Sequence, residues 1–297
     1  MTTVAITALA CAPMRRVLLA AVALSSFTVF AQQPATIVGV VAATNAETAK
    51  KQSEALASFA SSALKELVLP RVYAEQETLA VALGKGEIDL ALMGPLAYLR
   101  IPKGTKSQLL FRTIRGGKAT YRSVLFGPPT SKLTSLEALK KNKGTLKAAW
   151  VETSSASGYI VPKALLLSSG INPQHSFDTQ DFLGSHDAVC QAVWEGKYDV
   201  GATFSDPVSN DTKVTGCVGA LGKKTDSLKV IALSEDFPND VFVAGPKFPA
   251  GKAQAVIAAA KASKADALKP AFLAEGVADV KDEDFTPIRK ALDAFVP

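Results

Sequence analysis

Short apolar or alternating runs and longer amphipathic stretches succeed one another along the chain. "TIVGVV", from Thr36, has the pattern of a short buried strand. "NAETAKKQSEALASFASSALKEL" carries a helical stripe, with Thr44 or Asn45 as its N-cap. "RVYA" fits a second strand, "QETLAVALGKG" a second helix closed by Gly84 or Gly86, and "IDLALMG" a third strand. This β-α-β-α-β order predicts a mainly parallel sheet with helices on both faces.

The pattern recurs downstream. "LAVALGKGEIDLALMGP" and "VCQAVWEGKYDVGATFSD" each run from an apolar helix through a glycine and two spacers to Asp and a buried strand. Gly86 and Asp89 correspond to Gly196 and Asp199, both 110 positions later. Each unit sits in its own run of strands and helices, which implies two similarly built lobes. The chain crosses between them near "TYRSVLFGPPTSKLTSLEALKKNKG", where the strand "YRSVLF" ends in Gly127-Pro128-Pro129. It returns around "LKVIALSEDFPNDVFVAG", because the C-terminal helices "KAQAVIAAAKASKADALKPAFLA" and "DFTPIRKALDAFV" need a sheet to cover. The expected division places residues 32–124 and 239–297 in lobe one and 125–238 in lobe two. Two crossings make a two-stranded hinge, which suits lobes that close on a ligand.

Residues 1–31 stand outside this scheme. Arg15 and Arg16 precede the uncharged run "VLLAAVALSSFTV", and "VFA" places a small residue before Gln32, the layout of a cleaved secretory signal peptide. The run is too short to span a bilayer comfortably. Residues 1–13 hold no positive charge, which makes Met14 an alternative start. "TALAC" at Cys11 offers a rival lipoprotein site, but no Lys or Arg precedes it.

Composition narrows the class. The 297 residues are 48% hydrophobic and 20% charged, the balance of an ordinary folded protein. Without Arg15 and Arg16, 31 basic residues face 27 acidic ones, dispersed with no run that would make a nucleic-acid arm. A mild positive excess suits a small anionic ligand and equally serves solubility alone. After cleavage two cysteines remain, Cys190 and Cys217. An oxidising compartment favours pairing them; two free buried thiols are the alternative, and a metal site with His186 matches no zinc spacing. No metal and no cofactor is expected.

Candidate chemistry gathers at three helix starts. "WVETSSASGYIVP" puts Thr153, Ser154, Ser155 and Ser157 between a strand and a helix. Unpaired N–H groups and the dipole at such a start favour an anion, Ser155 and Ser157 add hydroxyls, and Gly158 admits a ligand close to the backbone. "MGPLAYL" sets Gly94 before Pro95 with Tyr98 one turn in, and "GSHDAV" offers Ser185 as N-cap with His186 in the first turn. Plain capping explains each start taken alone; facing lobes would bring all three to the carboxyl ends of strands. Asp206 in "ATFSDP" and Asp240 in "FPNDVF" fit an anion site when the ligand brings a P–OH proton or an amine, and both also suit turns.

At these residues the chain resembles a known family. "GEIDLALMGPLAYL", "TYRSVLF", "SSASGYIVPKALL", "GSHDAVCQAVWEGKYDVGATFSD" and "PNDVFVA" together look like periplasmic phosphate/phosphite/phosphonate-binding proteins of ABC importers, in the same order from about Thr36 to the C-terminus. The resemblance implies an α/β fold of the type II periplasmic binding protein class, with two lobes, a two-stranded hinge and no catalytic activity. It implies ligand contacts from Tyr98 in lobe one and from Ser155, Ala156 and Ser157 in lobe two. His186, Asp206 and Asp240 match positions that complete the pocket, where the family's acidic pair is associated with an amino group on the ligand. Departures bear on ligand identity. Ala156 stands where the family has Thr in Ser-Thr-Ser-Gly. Ala42, Ala43 and Thr44 follow the first strand in place of an aromatic residue, and Glu77 and Thr78 lie where a tyrosine is usual. Phosphite or arsenite thereby becomes as credible as an alkylphosphonate.

The expected function is that of a monomeric, periplasmic solute-binding protein delivering a phosphorus oxyanion to an inner-membrane ABC permease, with no nucleic-acid partner. One alternative couples the same binding event to a membrane sensor kinase. A serine hydrolase built on Ser155, His186 and Asp206 is the competing class, without the G-x-S-x-G pattern around Ser155. The effector-binding half of a transcription regulator shares the lobe architecture, but no helix-turn-helix precedes it.

Overall fold

A computed structural model describes residues 1–3, 35–41, 46–142, 145–206 and 214–294. Residues 4–31 of the signal-peptide segment, the Thr44 or Asn45 cap and the Ala42–Thr44 departure lie outside the described residues. Strand β1 (Thr36–Val41), helix α1 (Ala46–Leu64), β2 (Val68–Tyr73), α2 (Gln76–Lys85) and β3 (Leu90–Met93) follow the expected order. β2 starts ahead of "RVYA" and includes Pro70, tolerated because this strand is an edge that pairs with β1 alone. Helix α3 (Pro95–Leu99) leads to β4 (Gln108–Ile114) and, through the tight turn at Gly116-Gly117, to β5 (Thr120–Gly127).

The second lobe continues with α4 (Leu136–Lys141), β6 (Lys147–Trp150), a π-helical turn (Ala156–Ile160), α5 (Val161–Ser168), α6 (Pro173–Ser176) and β7 (Thr179–Phe182). Helix α7 (His186–Trp194), β8 (Val200–Ser205), α8 (Val218–Leu221) and β9 (Lys229–Leu233) complete it. The return brings β10 (Phe237–Pro238), β11 (Val241–Ala244), α9 (Ala250–Ala262), α10 (Ala265–Phe272), β12 (Gly276–Ala278) and α11 (Thr286–Asp293). Two sheets result, ordered β12-β4-β11-β3-β1-β2 and β10-β5-β8-β6-β7, with β9 also paired to β5. The chain leaves the first sheet after Ile114, enters the second at Thr120, and returns between Pro238 and Val241. Parallel pairing is confined to β2-β1-β3 and β7-β6-β8. The crossing strands β5 and β11 join antiparallel, so each sheet is mixed rather than mainly parallel.

The two sheets repeat at a constant offset. Ile37 lies opposite Leu69 and Val38 opposite Leu90; 110 residues on, Lys147 lies opposite Thr179 and Ala148 opposite Val200. The repeated aspartate explains the match. Asp89 Oδ2 accepts the Ile37 N–H at 2.8 Å while its own N–H donates to the Ile37 carbonyl at 2.9 Å. Asp199 treats Lys147 in the same way, at 2.8 and 2.9 Å. Gly86 and Gly196 end α2 and α7 with φ of 71° and 74°, the left-handed geometry that closes a helix. Even a register slip recurs, between Phe242 and Val243 against β4 and between Leu125 and Phe126 against β9. Asp89→Ala strands the Ile37 N–H and should lower the unfolding free energy by roughly 1–3 kcal/mol. Urea denaturation measures it, and an unchanged midpoint would deny Asp89 this latching role.

Both sheets are packed on both faces. Phe272 of α10 meets Phe111 and Phe242 edge to face on one side, while Leu79, Leu83 and Met93 fill the other. Trp150, Leu166 and Phe177 on one side and Phe126, Val189 and Val193 on the other do the same for the second sheet. Cys190 and Cys217 form a disulfide inside that core, with Cα atoms 5.3 Å apart. A further cluster joins Leu96 to Ile160, Val161, Phe237, Ile288 and Ala291. Helix α11 therefore bridges the two lobes instead of covering a sheet, because its apolar face meets α5. Among the described residues no helix is long and apolar enough to cross a membrane.

Candidate functional site

The carboxyl end of β8, the start of β5 and the return past Asn239 meet at one place. There Ser157, His186, Asp206 and Asp240 line a common cavity of about 290 Å³. Arg115, Tyr121, Phe204 and Asn239 complete its walls.

Ser157 is buried, with 4% of its surface exposed, and it belongs to the π-helical turn. That turn is wide because the Ile160 N–H donates to the Ser155 carbonyl at 3.0 Å, an insertion of the kind often found at functional sites. The Ser123 hydroxyl donates to the Ser157 carbonyl at 2.7 Å and ties the turn to β5. Ser155 is not among the cavity-lining residues; its hydroxyl accepts the Gly158 N–H at 3.0 Å and caps the turn. Ala156 packs in the apolar cluster with Leu96, Phe237 and Ile288. A side chain on Gly158 would put Cβ 2.3 Å from Val151 Cγ2, so packing accounts for that glycine without a ligand.

His186 opens α7 behind Ser185, whose hydroxyl accepts the Ala188 N–H at 3.2 Å. Its Nδ1 lies 2.8 Å from Thr203 Oγ1, and its ring meets Phe204 edge to face at 5.1 Å. Burial pushes the imidazole down to about 4, against a partial opposing effect of Asp187, so the ring is neutral at pH 7. In the tautomer in which the Thr203 hydroxyl donates to Nδ1, the ring proton sits on Nε2 and is available to donate. The Asp206 N–H donates to Thr215 Oγ1 at 2.7 Å, and its carboxylate lies near enough to Arg115 to act on that guanidinium by charge.

Sequence reasoning missed Arg115, Tyr121, Phe204 and Asn239, and Arg115 is the charged one among them. Its Nη2 lies 2.5 Å from Asp240 Oδ2, and its Nε donates to the Leu273 carbonyl at 3.0 Å. The Asp240 charge, working against burial, strengthens its hold on the proton. The signal was present: Gly116-Gly117 between "QLLFRTI" and "TYRSVLF" marks a hairpin that delivers Arg115 to the crossing. Asn239 knits the two crossing segments, its side-chain amide donating to the Thr113 and Lys118 carbonyls at 3.1 and 2.9 Å. Burial first, then the Asp240 charge, holds the Tyr121 hydroxyl protonated far above its usual range.

Tyr98 is placed apart from the others. Its hydroxyl donates to Asp282 Oδ1 at 2.9 Å, and Arg289 grips that carboxylate through Nη2 at 2.7 Å and Nη1 at 3.1 Å. The ring packs on Phe285 with centroids 4.5 Å apart and borders a separate cavity of about 510 Å³ with Lys103 and Thr105. From α3 it is Gly94 that approaches the central cavity, where a Cβ would lie 3.8 Å from Asp240 Oδ1. The hydrolase arrangement is not assembled, since Ser155 faces Gly158 and His186 Nδ1 faces Thr203. Ser157, Tyr121, Arg115 and His186 supply donors and Asp206 an acceptor, a set that suits a small oxyanion still carrying a proton.

Comparison with known proteins agrees with this chemistry. Residues 38–291 match the model of a family described as ABC transporter, phosphonate, periplasmic substrate-binding protein. The phosphate-import protein PhnD of Mycolicibacterium smegmatis is 29% identical over 168 residues, 54% of this chain and 50% of its own, so the match spans about half the length of that curated relative. PhnD1 from Prochlorococcus marinus in complex with methylphosphonate superposes with a TM-score of 0.68 at 19% identity, covering 88% of this chain and 99% of its own. XAC2383 from Xanthomonas citri bound to ATP gives a TM-score of 0.70 at 17% identity, over 88% and 99% of the respective chains. At such identities the two solved structures speak for the type II binding-protein fold.

Proposed function

Because the chain belongs to the periplasmic substrate-binding family of phosphonate ABC transporters, we propose that it captures a small phosphorus oxyanion (a phosphonate, phosphite or phosphate) between two lobes for import. The observation that carries this reading is the single cavity gathering Ser157, His186, Asp206 and Arg115-paired Asp240. Ser157, Tyr121 and His186 Nε2 donate to the anion, and Asp206 accepts its P–OH. Each charge-assisted hydrogen bond contributes about 1.5–3 kcal/mol, so a few of them give micromolar or better affinity after ordering costs. The two lobes turn about the crossings at 115–119 and next to Asn239. The protein works as a monomer in the periplasm, exported by residues 1–31, and passes its ligand to an ABC permease without chemistry of its own.

A thermal-shift screen across phosphate, phosphite, methylphosphonate, 2-aminoethylphosphonate, arsenite and sulfate tests it, since stabilisation follows ligand concentration over dissociation constant. Stabilisation by a phosphorus oxyanion and not by sulfate is expected; a flat response across the panel defeats the reading. Ser157→Ala should weaken binding by roughly 1–3 kcal/mol in calorimetry. Unaltered affinity would remove that hydroxyl from the site.

A further inference from the structure

Asp240 is already occupied. The Arg115 guanidinium is held on three sides, by Asp240 Oδ2 at 2.5 Å, by the Leu273 carbonyl at 3.0 Å and by the Phe272 carbonyl at 3.5 Å. These contacts use Nε and Nη2, and among the described residues none uses Nη1, on a residue that lines the cavity. We infer that Arg115 makes the cavity selective by charge: it admits oxyanions without an amine and rejects those that carry an ammonium group. This inference rests on the oxyanion reading above and names the class of oxyanion.

Counter-charges decide the selectivity. A ligand ammonium needs a carboxylate, and Asp240 is paired with a cation that two backbone carbonyls also hold in place. Displacing the guanidinium would leave a part-buried positive charge without its partner, a costly arrangement. Asp206 remains, but an ammonium there would share about 290 Å³ with Arg115 and be repelled by it. An unaminated anion meets neither obstacle: it takes Nη1 of Arg115 and presents its P–OH to Asp206. The separation of 125 residues between Arg115 and Asp240 fixes this pairing by topology, since the two crossings of the chain lie side by side.

Calorimetric titration of the full exported chain with methylphosphonate and aminomethylphosphonate isolates the ammonium, because the two differ by that group alone. Phosphite and phosphate complete the panel. Wild-type protein is expected to bind its best unaminated anion at least about tenfold more tightly than aminomethylphosphonate, and Arg115→Met, which frees Asp240, to narrow that gap by about tenfold or more. Equal wild-type affinities, or a gap unchanged in Arg115→Met, overturns the role of Arg115 while leaving oxyanion capture standing. Silence from every anion overturns both. The wild-type gap requires no substitution, so a variant that fails to fold does not blunt the test.

Discussion

Removing the Cys190–Cys217 disulfide, by reduction or by the double substitution Cys190→Ala/Cys217→Ala, is expected to lower the unfolding free energy by roughly 3–4 kcal/mol. The bond closes a loop of 27 residues, and its loss releases that loop in the unfolded chain. Both sulfurs lie in a closed apolar cluster with Val189, Val193 and Val214, so the alanine pair also leaves unfilled volume. The effect reaches the cavity. Cys190 sits on α7, which carries His186, and Cys217 ends the short turn whose Thr215 accepts the Asp206 N–H. Oxyanion affinity is therefore expected to fall along with stability. Guanidinium unfolding with and without reductant measures the first effect, and calorimetry on the reduced protein the second. A midpoint indifferent to reductant would show that the bond contributes nothing.

Acid should weaken the fold through His186. Its folded-state pKa of about 4 lies below the ordinary 6.5, because burial disfavours the imidazolium. Between those values the unfolded chain binds a proton that the native protein refuses. The stability associated with the neutral ring is thus complete above pH 6.5 and is lost as pH falls toward 4. At about 1.4 kcal/mol per unit, the loss amounts to roughly 3 kcal/mol. Urea midpoints taken from pH 7.5 down to 4.5 should slope in wild-type protein and flatten in His186→Asn. Parallel slopes in the two proteins would place the acid sensitivity elsewhere. Under the proposed function a bound anion acts in the opposite sense, favouring the imidazolium, so ligand binding near pH 5 should take up protons.

Much of the architecture was legible because its determinants are local. A glycine in left-handed geometry and an aspartate three residues on reach only to the next strand, and their recurrence after 110 residues announced the second lobe. The helix starts at Ser155 and Ser185 were legible for the same reason, as capping acts within three residues. Tyr98 was not, since its partner Asp282 lies 184 residues away and no local pattern connects them. Arg115 escaped likewise: "IRGGK" reveals a turn, but only the return of the chain past Asn239 brings Asp240 against it. The last helix misled in a different way. Its apolar stripe demanded burial and did not say against which surface; Ile288 and Ala291 found α5 rather than a sheet.

That bridging helix offers an optical handle. Rotation of one half against the other must slide α11 across either Leu96 or Val161, altering the surroundings of its outer side. Lys290 lies on that outer side, beside the groove that α11 makes with Ser168 and Glu235. Under the proposed function, a solvent-sensitive dye attached at Lys290→Cys is expected to convert anion capture into a change of fluorescence, and Lys290 does not line the cavity itself.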